Sequence, residues 1–364
     1  MVDFPKILHI STPKSWRGGE QQLAYLYEEL TNKGIEQYIL CRKGGEMAIR
    51  GKAKGWNIIE SAKRTAIDPF FTRKVKSVCK HKAIDIIHAH DSHAHSFAVL
   101  SASLFGNNIP IIVSRRVDFA ISKSSIKKYN HKNVKRIICV SDAIKNLTAP
   151  DIKDKSILNT IHSGIDLDRF PFDKKDCNIL REEFKIPKDI PLIGNVAAIA
   201  PHKDYFTFID TVEEFINKGN KAKFFIIGTG SMMLEIKEYC AEKGMHDHII
   251  FTGFRTDIDK ILPELDIFLI TSQTEGLGTS VIDAFACKVP VVATKAGGIP
   301  ELVKHEKSGL LANVKDSKEL AKQIERLLNN SVSLDSIITG QQEVLKLFTK
   351  TVTAEKTLSV YLSI

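Results

Sequence analysis

Nothing in these 364 residues approaches the run of about 20 apolar side chains that a bilayer-spanning helix needs. The opening segment, MVDFPKILHIS, is a short strand-like run without the apolar stretch of a signal peptide, so a cytoplasmic protein is expected. Cysteine is scarce. Cys41, Cys79, Cys139, Cys177, Cys240 and Cys287 are scattered and form no C-x-x-C pair, which argues against a zinc centre or a disulfide framework. Most are expected as small buried hydrophobes. Low-complexity tracts are missing, as is any aromatic stretch interleaved with basic residues, so nucleic-acid binding has net charge alone in its favour. What remains is a soluble globular composition, 43% hydrophobic and 26% charged, in a chain too long for one ordinary core.

The net charge of +9 is unevenly spread. Residues 1–172 carry 28 Lys and Arg against 16 Asp and Glu, whereas residues 173–364 carry 24 against 27. A basic first half suits an anionic partner such as membrane lipid or a phosphate-bearing substrate. Its clusters, from Arg73 to Lys82 and from Lys123 to Arg136, also read individually as solvated helix faces.

Short β-rich apolar runs alternate with helical patterns almost throughout. The first half predicts strands over 7–11, 37–41, 57–60, 84–88, 110–114, 136–140 and 157–162, with helices over 20–32, 70–81, 93–105 and 141–148. The second half predicts strands over 192–197, 223–227, 249–252, 267–271, 289–293 and 309–312. Its helices are expected over 205–217, 232–243, 279–286, 317–329 and 335–348. Alternating βαβα with near-continuous apolar strands implies α/β architecture, with parallel sheets covered on both faces. The pattern runs twice, with a break at 170–176. Two doubly wound, Rossmann-like domains follow, 1–172 and 173–348, and the weakly helical tail 349–364 is expected to pack back on the first. Ligands of such sheets bind beyond the strand C-terminal ends, which places the expected site in a cleft between the domains.

The most informative segment is 271–300. An apolar strand runs into a loop holding Glu275, Gly276, Leu277 and Gly278, and a helix opens at Thr279 or Ser280. Free N–H groups and the positive end of a helix dipole bind phosphate, and glycine lets an anion approach the main chain. Carboxylates beside such a loop accept hydrogen bonds from hydroxyls. Asp283 also fits the S-x-x-D capping-box spacing from Ser280, but Glu275 has no such explanation. Lys203 follows the first strand of the second half, where a cation would meet a diphosphate, and Gly228 opens a further strand–glycine–helix turn.

In the first half, Gly18 and Gly19 lie between strand one and helix one but lack the G-x-G-x-x-G of a dinucleotide fingerprint. Within HAHDSHAH (88–95), His88 and His90 alternate along a strand and should face opposite sides, so no shared metal is expected. His90 and His93 are placed at a cleft mouth, and His88 and His95 in ordinary packing. Arg115 and Arg116 end a strand and have the fork geometry for phosphate.

Taken together, EGLGTSVID, GGIPELV (297–303), SGLL (308–311), TGFRTDIDKILPELDIFLITS, CVSDAIKNL, HSGIDLDRF, HAHD and RGGE resemble the retaining glycosyltransferases of the GT-B fold, family four or group one. The resemblance implies a metal-independent transferase without a cofactor, moving a hexose-type sugar from a nucleotide diphosphate sugar with its anomeric configuration kept. It implies that Glu275 contacts donor-sugar hydroxyls and that Asp283 binds the ribose. Lys203 and the main chain at 277–280 would hold the diphosphate, with Gly18, Gly19 and His90 or His93 near the reacting centre and acceptor. The basic first half suits docking on the cytoplasmic face of an anionic membrane to reach a saccharide acceptor, lipid-linked or of lipopolysaccharide type. Two positions depart from the pattern. Asp283 stands where the family has Glu, and Ala198 stands where it has an arginine, leaving Arg115, Arg116 or His202 to supply the lost cation. A same-fold epimerase and a non-catalytic nucleotide-sugar binder remain open alternatives.

Overall fold

A computed structural model of the chain describes residues 4–65, 67–171 and 177–364. It contains two compact units. One is built from the chain up to Gly164 together with Lys350–Ile364, the other from Ile165–Thr349. The break read at 170–176, and with it the 172/173 boundary, falls largely on 172–176, outside the described residues.

Among the described residues of the first unit, seven parallel strands form one sheet. They are β1 (Ile7–Ser11), β2 (Gln37–Arg42), β3 (Ile58–Ser61), β4 (Ile86–Ala89), β5 (Ile111–Arg115), β6 (Val134–Cys139) and β7 (Leu158–Thr160), in the order β3-β2-β1-β4-β5-β6-β7. β1, β4 and β5 are buried along their whole length, as expected of strands covered on both faces. The order reverses direction between β1 and β4. The second unit repeats the plan with β8 (Leu192–Val196), β9 (Lys223–Ile227), β10 (Ile249–Gly253), β11 (Ile267–Ile270), β12 (Val291–Thr294) and β13 (Leu310–Ala312), in the order β10-β9-β8-β11-β12-β13. Here the reversal lies between β8 and β11. The α/β, twice doubly wound architecture is that expected from the sequence.

Helices form where the pattern asked for them, and their ends have local causes. Ser141 caps the Asp142–Thr148 helix by accepting from Ile144 N–H at 3.1 Å. Asp91 caps Ser92–Phe105, and Asp68 caps Pro69–Lys82, whose proline stands in the first turn. The tail is helical over Lys350–Tyr361 and packs on the Gly18–Asn32 helix, placing Ala354, Val360 and Tyr361 in one cluster with Ile7, Leu26 and Leu30. The short Glu46–Ala53 helix was not foreseen. It carries four polar or glycine residues in eight and buries only Met47, Ala48 and Gly51, so its periodic signal is slight.

Candidate active site

In the second unit, Lys203 and Glu275 meet at the sheet's reversal point, and the chain fixes both. After β8 a single 3-10 turn, Pro201–Lys203, ends at Asp204, which holds a left-handed φ of 51°. Asp204 tolerates this because its carboxylate caps the next helix, accepting from Thr207 N–H (3.3 Å) and Oγ1 (2.8 Å). The hydroxyl of Thr271, just beyond β11, donates to the carbonyl of Asp204 at 3.0 Å, and Gln273 N–H donates to that of His202 at 2.8 Å. The two loops are thereby stitched together. Glu275 is 7% exposed. Its Oε1 accepts from Ser272 Oγ at 2.8 Å and from the Lys203 ammonium. A buried carboxylate needs such partners.

Beside this pair the Thr279–Ala286 helix opens at Gly278, in the left-handed region at φ 87°, with no side chain capping its N-terminus. First-turn N–H groups have no partner within a helix, so an uncapped N-terminus lies in the loop that carries Glu275. Gly297 holds that loop from behind. A Cβ there would stand 2.0 Å from the carbonyl oxygen of Glu275, which itself accepts from Gly298 N–H at 3.0 Å. Gly228 has a packing role of the same kind, since a Cβ on it would meet the Ala197 carbonyl oxygen at 2.0 Å.

Asp283 does not cap its helix, so the S-x-x-D spacing has no capping role here: the helix begins at Gly278, five residues earlier. Burial pushes its carboxyl up to about 6, and the guanidinium of Arg169, at 3.8 Å, pulls the other way. Arg169 lies in the HSGIDLDRF segment, but nothing there pointed to a role beside Asp283. Ala198 is exposed, as is His202. The unit also has a cavity of about 490 Å³, but it is lined by Asp266, Pro290 and Leu334 beside the N-terminal ends of β11 and β12, away from Lys203 and Glu275.

In the first unit a cavity of about 450 Å³ opens at the other reversal point, lined by residues that follow β1, β4 and β5. Gly19 and Glu20 come from the start of the first helix, His90 and Asp91 from the β4 loop, and Arg115 and Arg116 from the end of β5. Asp91 accepts from the backbone and hydroxyl of Thr12 (2.7 and 2.8 Å) as well as from its own helix, tying the β1 and β4 loops together.

The histidines correct the expectation drawn from strand alternation. His88 and His90 lie on the same side, ring centroids 4.0 Å apart. Alternation puts residues i and i+2 on one face, so the opposite-sides expectation misapplied the rule; the N–H of His90 continues the β1–β4 ladder to the carbonyl of Ile10. His9, which sequence reading passed over, joins them. The three side chains offer nitrogens within 4.8 Å of one another, a spacing a metal could bridge. Five of the six ring nitrogens, however, already have hydrogen-bond partners. Those of His88 contact Tyr361 OH (2.6 Å) and Ser114 Oγ (2.8 Å). Those of His9 contact Gln37 Oε1 (3.0 Å) and His90 Nε2 (2.9 Å). Only His90 Nδ1 has none. Burial pushes His9 down to about 4 and holds His88 and His90 well below the usual range, so all three are neutral at pH 7. His93, in contrast, is exposed in the first turn of its helix and does not line the cavity.

The adjacent arginines also part company. Arg115 is 3% exposed and held by three hydrogen bonds: Nε donates to Thr148 Oγ1 (2.8 Å), Nη1 to Tyr129 OH (3.1 Å) and Nη2 to the carbonyl of Phe119. It pins its own loop with three of its five N–H donors, which holds the guanidinium against Thr148, Tyr129 and Phe119. Arg116 makes one bond, Nη1 to Ser163 Oγ at 2.8 Å, and its buried Nε meets no acceptor.

Comparison with known proteins matches residues 16–169 to the family described as Glycosyltransferase Family 4, and residues 176–343 to that described as Glycosyl transferases group 1. The chain is 24% identical over 264 residues to an N-acetyl-alpha-D-glucosaminyl L-malate synthase of Bacillus anthracis, covering 71% of this chain and 68% of the relative. It is 20% identical over 353 residues to the UDP-Gal:alpha-D-GlcNAc-diphosphoundecaprenol alpha-1,3-galactosyltransferase of Escherichia coli, covering 90% and 89% of the two chains. Among solved structures, Anabaena HepE in complex with UDP and glucose superposes with a TM-score of 0.87 at 18% identity, over 99% of this chain and 100% of that one.

Proposed function

The chain belongs to the group 1 glycosyltransferases of family 4 type, with the GT-B fold, and from that membership we propose that it transfers a hexose-type sugar from a nucleotide diphosphate sugar to a hydroxylated acceptor, keeping the anomeric configuration. One observation carries this reading. A buried carboxylate and a lysine ammonium meet at the reversal point of the second sheet, beside an uncapped helix N-terminus. Such a site offers a fixed cation and main-chain N–H groups to a diphosphate, and an acceptor-only oxygen pair to sugar hydroxyls.

In this reading Lys203 exchanges Glu275 for the β-phosphate as the donor binds. Glu275, released on one side and still held by Ser272, accepts from donor-sugar hydroxyls. The N–H groups from Gly276 to Ser280 face the diphosphate, Asp283 accepts from the ribose diol, and Gly228 lets the nucleotide approach. The chemical barrier is departure of the nucleoside diphosphate. Negative charge gathers on the β-phosphate as the anomeric carbon becomes cationic, and donors fixed in advance stabilise that charge without reorganisation. A carboxylate already tied to Lys203 and Ser272 is built to bind, not to attack from the far face. Same-face substitution, with the leaving phosphate taking the acceptor proton, is therefore the mechanism proposed, and it needs no metal or cofactor. Gly18, Gly19 and His90 are assigned to the acceptor side. One named relative makes an N-acetyl-alpha-D-glucosaminyl L-malate, and the other is named for a diphosphoundecaprenol-linked acceptor. With the basic first half, they support an acceptor that is either small and anionic or carried at a membrane surface.

A thermal-shift screen against UDP-, GDP-, ADP- and TDP-sugars, followed by turnover with the stabilising donor, tests the proposal. Lys203→Ala is expected to lose about 100- to 1,000-fold in kcat/KM with the far-UV spectrum unchanged. Unchanged kcat/KM in that variant refutes the assigned role. Appearance of an epimerised donor in water alone refutes transfer.

A further inference from the structure

The cavity of the first unit holds a guanidinium that the fold leaves underused. Arg116 lines it, spends one N–H on Ser163, and keeps a buried Nε without an acceptor. Among the described residues no carboxylate lies within ion-pairing distance of it. Burial pushes the guanidinium down to about 10, with Glu20 the acid that opposes the shift. A desolvated cation without an anion is costly, and protein interiors pair such groups. Glu20 is not that partner, because its Oε2 accepts from Arg17 N–H (3.0 Å) to close the helix start. Asp91 is saturated by Thr12 and its own helix. Cβ atoms built on Gly18 and Gly19 would meet nothing within 4 Å, so the first turn of that helix is open to a ligand.

The same cavity offers an acceptor whose identity the hydrogen bonds dictate. Gln37 Nε2 donates to the Tyr27 carbonyl (2.6 Å) and to Thr31 Oγ1 (2.9 Å), which turns its Oε1 to His9. His9 must then carry its proton on Nε2, leaving Nδ1 to accept from His90. His90 in turn carries its proton on Nε2, and its Nδ1 is a bare lone pair, 7% exposed as a residue and unpartnered. A ligand matching both groups needs an anion for Arg116 and a hydroxyl for His90.

We propose that this cavity binds the acceptor through a carboxylate or phosphate monoester that also bears hydroxyl groups, with Arg116 taking the anion and His90 Nδ1 a hydroxyl. This names the acceptor class of the transferase reading and rests on it. At about 450 Å³ the space suits one sugar-sized molecule.

The test uses the full chain labelled with ¹⁵N-arginine, following the Arg116 Hε–Nε resonance, assigned by its loss in Arg116→Lys. Glucuronate, glucose 6-phosphate and neutral glucose are the probes. One or both anions should shift the resonance to saturation, and whichever does so separates carboxylate from phosphate recognition. Glucose at equal concentration should leave it in place. By calorimetry Arg116→Gln should bind the effective anion at least tenfold more weakly, while its stabilisation by UDP, a ligand of the second unit, is unchanged. Equal responses to glucose and the anions, no response to either anion, or undiminished anion binding by Arg116→Gln would overturn the proposal. Should that variant not fold, the wild-type resonance decides alone. A chain that answers the anions but is stabilised by no nucleotide or nucleotide sugar keeps this pocket and loses the transferase reading.

Discussion

Asp283→Asn should stabilise the free protein and weaken it as a nucleotide-sugar binder, and the two effects share one cause. The Asp283 carboxyl is raised from 3.8 to about 6, chiefly by burial. Ionising it therefore costs more in the folded chain than in the unfolded one. At pH 7 both states are ionised, and the difference of about two units corresponds to roughly 3 kcal/mol held against folding. The side chain keeps 20% of its surface in water, so a gain of about 1–3 kcal/mol is the reasonable expectation for the neutral isostere. The sign fixes the pH window. Above about 6 the penalty is complete; between 6 and 3.8 the folded state holds a proton that the unfolded state has lost, and the penalty shrinks; below 3.8 it is gone. Urea denaturation of both proteins from pH 4 to 8 measures it: the advantage of Asp283→Asn should be full at pH 7 and vanish near pH 4. Donor affinity moves the other way. If the ionised carboxylate accepts from the ribose diol, protonation removes that acceptor, and wild-type Kd should rise about tenfold from pH 7 to pH 5. A stability gain independent of pH, or Asp283→Asn binding the donor as well as wild type, would falsify the argument.

Gly297→Ala places a methyl 2.0 Å from the Glu275 carbonyl at a left-handed φ of 50°. It should cost more than about 2 kcal/mol, from backbone strain and overpacking, and shift the loop that carries Glu275; a melting temperature and donor affinity equal to wild type would refute the packing role. Truncation before Lys350 strips Ala354, Val360 and Tyr361 from the first core and leaves His88 Nδ1 without its phenol at 2.6 Å. At about 1.5–3 kcal/mol per large buried side chain the loss rivals the stability of a whole domain. The truncated chain should aggregate or melt at least 10 °C lower, and a soluble, unshifted product would show the tail to be dispensable.

How much of this was legible in the sequence depends on the range of the interaction concerned. Strand and helix identity followed from periodicity within a few residues, because an apolar run flanked by Gly, Asn or Ser has few alternatives in a sheet covered on both faces. The Glu275 loop was legible too. An acid between two apolar elements has to find partners, and in the structure it has them in Lys203 and Ser272. Arg169 beside Asp283 was not, since the two are more than a hundred positions apart and neither predicts the other. Nor was the division of labour between Arg115 and Arg116. As neighbours in sequence they look equivalent, yet one is held by three bonds to Thr148, Tyr129 and Phe119 while the other is held by Ser163 alone. Only the contacts of each guanidinium separate a structural pin from a ligand-binding group.

The histidines show how far a local rule reaches. Alternation is a property of extended backbone, and it correctly sets His88 apart from its neighbour Ala89. The same rule returns His90, two residues on, to the face of His88, as the 4.0 Å between their rings shows, and the N–H of His90 continues the ladder to Ile10. What then decides the chemistry of His90 is not its own strand but Gln37, two strands away across β1. Two donations by the amide fix its orientation, the orientation fixes the His9 tautomer, and the tautomer leaves His90 with a proton on the ring nitrogen facing His9 and none on the other. Gln37→Leu releases that constraint while keeping the volume apolar. His9 could then donate to His90 instead of accepting from it, which reverses the second ring and puts the proton on Nδ1. If His90 meets the acceptor as a hydrogen-bond acceptor, this change, more than 20 residues from either histidine in sequence, should raise acceptor KM about tenfold and leave donor affinity untouched. ¹⁵N shifts of the His90 ring in the wild type and the variant report the reversal directly, and an identical tautomer in both would break the chain of reasoning at its first link.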